Sequence, residues 1–177
     1  ILRENPIAAE LDPEFSMMNE GDANTLAEDL LRLEIARDHS EEPEIQAFLN
    51  AVGGRGAYLQ APSLTRKIMS DVSSVLRQLR GGRLTRAALR DIYSSTDAYL
   101  NHVLDVIRAH EDEPALKKHI QNFMKAVNLP DSQEGRRERA QADVLRGLVT
   151  LALRVWDDME REMDRRTAFD FAFVDRR

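Results

Sequence analysis

The chain has 177 residues, 42% of them hydrophobic and 32% charged, with few glycines or prolines and no cysteine. This is the composition of a folded helical domain large enough to bury a core unaided, and the missing cysteine excludes disulfides, thiol nucleophiles and zinc sites with thiolate ligands. A formal charge of -6 argues against nucleic acid and anionic membrane as partners, because phosphate binding needs a concentrated positive face.

Residues 1–16 lack the basic start and apolar centre of a secretory signal. They read as an extended or cloning-derived N-terminal segment, with the native start expected near Met17 or Met18 and cytoplasmic residence the simplest expectation. The first predicted helix runs from about Ala27 to Arg37, with Thr25 as N-cap, Glu28 completing a capping box, and Leu26, Leu30 and Leu33 on its apolar face. A second begins at Pro43, a favoured first helical position, carries Ile45, Phe48, Leu49 and Val52, and stops at Gly53 and Gly54. Ser63 is the expected cap of a third, striped with Leu64, Ile68, Val72, Val75, Leu76 and Leu79 and ended by Gly81 and Gly82.

The fourth predicted helix is a single long one from Thr85 to His110, about 39 Å by its length. Leu89, Ile92, Tyr93, Tyr99, Leu100, Val103 and Ile107 face inward on it. Pro114 opens a fifth with Leu116, Ile120, Phe123, Met124 and Val127 inward, closed by Asn128, Leu129 and Pro130. The sixth, from Asp131 or Ser132 to about Arg166, has Ala140, Val144, Leu148, Leu151, Val155, Met159 and Met163 along one face, widened by Leu145, Ala152 and Trp156. The expected fold is all-α: an antiparallel bundle of about five to six helices over residues 17–166, with the long C-terminal helix at its centre. No apolar stretch reaches the length of a membrane span.

A tail over residues 167–177 follows, in which Phe169, Phe171 and Phe173 alternate and so would share one side of an extended strand, whereas Phe169 and Phe173 alone would share a helical face. Burying each Phe is worth roughly 1.5 to 3 kcal/mol. The tail is therefore expected to dock on its own bundle, on a second copy or on a partner. Arg136, Arg137 and Arg139 stand near the start of the sixth helix, where positive charge opposes the helix dipole; they are candidates for an acidic partner, with Glu134, Glu138 and Asp143 nearby favouring a mixed solvated surface.

Other constellations read as structural. His102 and His110 share a helix, but Tyr99, Ile107, Leu116 and Ala36 stand where a carboxylate-bridged di-metal bundle needs a Glu three residues before each His, so the four histidines are read as surface or boundary residues. Asp157, Asp158, Glu160 and Glu162 interleave with Arg161, Arg165 and Arg166 at the spacing of helical ion pairs. Gly53, Gly54 and Gly56 follow a helix and lack the lysine of a phosphate loop. Trp156 and Glu160 form a Trp-x-x-x-Glu spacing that resembles the signature of a family of helical bacterial effectors acting as exchange factors for host small GTPases. The resemblance covers these two residues, and no catalytic loop follows them.

Function is thus expected first as a protein–protein interaction or regulatory module, of adaptor, secretion-associated or effector type, that uses helix faces and the Phe-rich tail to bind another protein or a second copy of itself without a cofactor. The alternative is a helical sensor with a small-ligand pocket lined by Tyr93, Tyr99, Met124 and Trp156; a further alternative, implied by the resemblance, is an effector acting on host small GTPases. An enzyme would need polar groups converging in a cleft. Arginine-rich, lysine-poor composition suggests a bacterial source.

Overall fold

In the computed structural model, which describes residues 16–17, 19–53, 62–82, 84–109, 116–165 and 168–169, the first helix begins earlier than Thr25. The Asn19 side chain accepts a hydrogen bond from the Asp22 N–H at 2.8 Å, and α1 (Glu20–Ala36) starts there. Thr25 lies inside the helix, its hydroxyl donating to the Gly21 carbonyl. The buried row is Ala23, Ala27, Leu31 and Ile35, one residue every four, whereas Leu33 is 64% exposed. The expected Leu26, Leu30, Leu33 face is therefore rotated: Leu26 and Leu30 flank the core, and the row through Ala23, Ala27, Leu31 and Ile35 is the buried one.

Helix α2 (Pro43–Ala51) opens on its proline and buries Ile45, Phe48 and Leu49; Gly53 follows at φ 126, a left-handed conformation that glycine adopts without strain. Helix α3 (Pro62–Arg80) takes Pro62 as its first residue, leaving Ser63 inside it. It buries Ile68, Val72, Leu76 and Leu79, and Gly82, at φ 69, marks its end.

The predicted long fourth helix is two: α4 (Arg86–Ile92) and α5 (Thr96–Arg108). Thr85 caps α4 as expected, accepting from the Ala88 N–H. The break comes from a second cap, for the Ser95 side chain accepts from the Ala98 N–H at 3.0 Å and offers the backbone an alternative to continuous helix. Arg146 occupies the gap, donating to the freed carbonyls of Tyr93 (3.2 Å) and Ser94 (3.5 Å). Helix α6 (Lys117–Asn128) buries Ala126, while Met124, expected inward, is 40% exposed.

Helix α7 (Gln133–Arg165) begins after Ser132, whose hydroxyl accepts from the Gly135 N–H. Its 33 residues span about 50 Å, and it packs against α1, α2, α3, α5 and α6. It is the central helix of an all-α bundle whose described residues form seven helices. Ala140 is exposed and Ala142 fully buried, a shift from the expected stripe.

Two hydrophobic clusters share α7. The larger joins α1, α2, α3 and Leu89 to residues from Val149 to Met163; the smaller holds Leu100, Ala126 and Ala142, flanked by Tyr99, Phe123 and Val127. Gly147 marks where α2 comes closest, since a Cβ there would lie 2.0 Å from the Glu44 carbonyl oxygen and 2.7 Å from Phe48 Cβ. Outside the bundle, β1 (Ser16–Met17) and β2 (Ala168–Phe169) pair in parallel, Ser16 opposite Ala168 and Met17 opposite Phe169. Among the described residues no helix is long and apolar enough to cross a membrane.

Candidate functional site

The three candidate arginines part company. Arg139 is half-buried and donates to Asp97 at 2.7 Å and to the Ala126 carbonyl at 3.4 Å, so it ties α7 to α5 and α6. Arg136 and Arg137 are exposed. Of the tail phenylalanines, Phe169 lies in β2, paired with the chain's own β1; Phe171 and Phe173 lie outside the described residues.

A surface the sequence reading missed lies beside the start of α7, where Lys125 meets Glu134. The outward side of α6 carries two adjacent stripes, Lys117, Gln121, Met124 and Asn128, then Lys118, Lys125 and Leu129, all exposed. Leu129, just past the helix end, is 59% exposed. Three of the four lysines in the chain fall here, and no Asp or Glu occurs between Lys117 and Pro130, so the face is uniformly cationic despite the acidic whole. The inward side, with Ile120, Phe123, Ala126 and Val127, faces α5 and α7. Lys125 meets Glu134 in the first turn of α7 at 3.3 Å. Glu134 is held below the usual carboxylate range by a hydrogen bond from its own backbone, helped by Lys125. Arg137 stands one turn beyond Glu134, which joins the start of α7 to the α6 face. The spacing of Met124 matches the inward apolar stripe, and the signal in the sequence for this outward face is the density of lysine without acid.

The densest charge lies elsewhere, between α1, α2 and α7. Glu34 is fully buried; its carboxylate accepts from Arg154 at 3.0 Å and meets Arg37 at 2.5 Å. Arg154 also grips both oxygens of Glu42. That hydrogen bond, with a second from His39, holds the Glu42 carboxyl down to about 2, against the pull of burial; hydrogen bonds to Glu42 and Glu34 push Arg154 upward. His39, read from sequence as a surface or boundary residue, is 2% exposed. Its Nδ1 lies 2.6 Å from Glu42 Oε2 and its Nε2 2.8 Å from the Glu34 carbonyl oxygen, so both contacts are hydrogen bonds only when both ring nitrogens carry hydrogen.

Arg154 also borders a cleft of about 300 Å³ between α4 and α7, walled by Leu89, Tyr93, Val149 and Leu153 with Arg90, Arg146 and Asp157 at its edges. The four residues expected to line a ligand pocket do not share it. Tyr93 does line the cleft and stacks on Tyr99 with centroids 5.2 Å apart, but Met124 is on the α6 surface and Trp156 is in the larger core. Burial raises the pKa of both tyrosines above the usual phenol value, so both stay neutral hydrogen-bonding groups.

The acidic cluster of α7 forms ion pairs. Asp157 meets Arg86 at 3.2 Å and Arg90 at 2.9 Å, Glu162 meets Arg165 at 3.0 Å, and Asp158 pairs with Arg161. Glu160 pairs with Arg86, so the Trp-x-x-x-Glu residues sit one in the core and one in a bridge from α7 to α4. Among the described residues no three His, Asp or Glu side chains gather as a metal ion would require. The chain matches no protein-family model, and no curated protein and no solved structure is similar to it.

Proposed function

We propose that this protein is a helical module for protein–protein interaction, and that its docking surface is the outward side of α6 together with Arg136 and Arg137. The observation that supports this reading is Met124 and Leu129 standing exposed within a cationic face. Large apolar side chains ringed by charge are the composition of an interface core with a polar rim, and Met adapts its shape to an incoming surface. The Phe-rich tail is a second contact element, since β2 (Ala168–Phe169) is extended and a strand can add to an edge of a partner or a second copy.

A photo-crosslinking residue at Gln121, compared with one at the exposed Glu28 of α1, tests the assignment in the cells that make the protein. The expected result is a discrete protein adduct from position 121 that is lost when Leu129→Glu is added. Equal labelling from both positions, or none from 121, would overturn it.

The cleft beside Arg154 favours a second reading, a small-ligand sensor. Its cations are already matched, Arg90 by Asp157, Arg146 by Asp143 and Arg154 by Glu34 and Glu42, so its ligand would be a neutral or zwitterionic molecule recognised by hydrogen bonds. Ligand binding raises the melting temperature by mass action. Screening such molecules for a saturable rise that Leu153→Trp abolishes tests this reading.

A further inference from the structure

We propose that the partner of the α6 face is an acidic amphipathic protein segment, whose carboxylates meet Lys117, Lys118, Lys125, Arg136 and Arg137 while an apolar side chain covers Met124 and Leu129. This rests on the reading of α6 as the docking surface and adds the chemistry of what docks there. The face already holds one carboxylate: Glu134, at 3.3 Å from Lys125. Asp131, Glu134 and Glu138 border the patch and leave the five cations in excess.

Exposed cations also occur on α3, at Arg66, Lys67 and Arg77, but among the residues whose burial is described none of the strongly exposed large apolar ones lies on that helix. The combination of both on α6 is what selects an amphipathic partner over a diffuse polyanion. A lipid surface fits less well. Membrane-surface helices gain affinity by sinking their apolar side into the acyl boundary, and in α6 that side is turned to the bundle. Nucleic acid would take the charge but leave Met124 and Leu129 uncovered, and would meet a chain of net charge -6.

The test is an NMR titration of the full chain with a synthetic peptide of glutamates and leucines at helical spacing, beside a copy with every Glu replaced by Gln, a single-stranded oligonucleotide and phosphatidylcholine/phosphatidylglycerol vesicles. Saturable shifts confined to Lys117–Leu129 and to Arg136 and Arg137 are expected for the acidic peptide. Its affinity should fall at least about tenfold for the Gln copy, and likewise for the variant Lys118→Glu/Lys125→Glu/Arg137→Glu. The substituted side chains are exposed, and an unchanged circular dichroism spectrum confirms the fold of the variant. No binding of the acidic peptide, shifts that include Arg66 and Lys67 equally, or stronger binding of oligonucleotide or vesicles would each overturn the proposal. A specific adduct from Gln121 combined with any of these keeps the docking surface and rejects the acidic partner; absence of both rejects the two together.

Discussion

Glu34 is the buried charge that links α1 to α7, through Arg154. A fully buried carboxylate is tolerable only when paired, and removing one partner of a buried pair costs about 3 to 5 kcal/mol because the remaining charge is stranded. Arg154→Ala is expected to lose about 3 kcal/mol in urea unfolding, the lower end of that range, because Arg37 still meets Glu34. Pairing the change with Glu34→Gln should restore much of the loss, since the charge that needed Arg154 is gone. Glu42 supplies the pH dependence. Its folded-state pKa lies at about 2 against an ordinary 4.5, so its contribution is fully present above the ordinary value and is lost as pH falls toward 2. The stability difference between the wild type and Glu42→Gln should accordingly shrink between pH 5 and pH 2.5; a constant difference would assign its effect to packing.

Elements meet most tightly where α2 crosses α7. Alanine is a better helix former than glycine by about 1 kcal/mol, so on propensity alone Gly147→Ala would stabilise the long helix. The Cβ would sit 2.0 Å from a backbone oxygen of α2, and backbone yields less readily than a flexible side chain. The substitution is therefore expected to destabilise by about 2 kcal/mol or more, measured by thermal and urea unfolding. The sequence placed Gly147 unremarkably inside a helix, because close approach is a property of two elements and not of one. The break between α4 and α5 is different. Its signal was local, in Ser95 at the right distance from Ala98, but the apolar positions on either side kept a helical spacing that hid it. Arg146, far along the chain, supplies the hydrogen bonds that stabilise the break.

At the scale of the whole molecule, the two clusters along α7 are unequal. The larger draws on five helices, whereas the smaller has only Leu100, Ala126 and Ala142 as its fully enclosed members. Local opening follows the density of buried apolar contact, so amide hydrogen exchange is expected to be faster across α5 and α6 than across α3 and the C-terminal two-thirds of α7. Uniform exchange would mean that the bundle opens as one unit. The sequence by itself determined the all-α class, the central C-terminal helix and the element ends at Pro43, Gly53, Gly82 and Asn128, because periodicity, proline and glycine act within a few residues of themselves. Only the tertiary structure decided which row of α1 is buried, that Glu34 and Glu42 meet Arg154 across more than a hundred residues, that His39 is enclosed, and that Met124 faces out. Each of these depends on which surface a distant helix covers, and spacing along the chain carries no record of that.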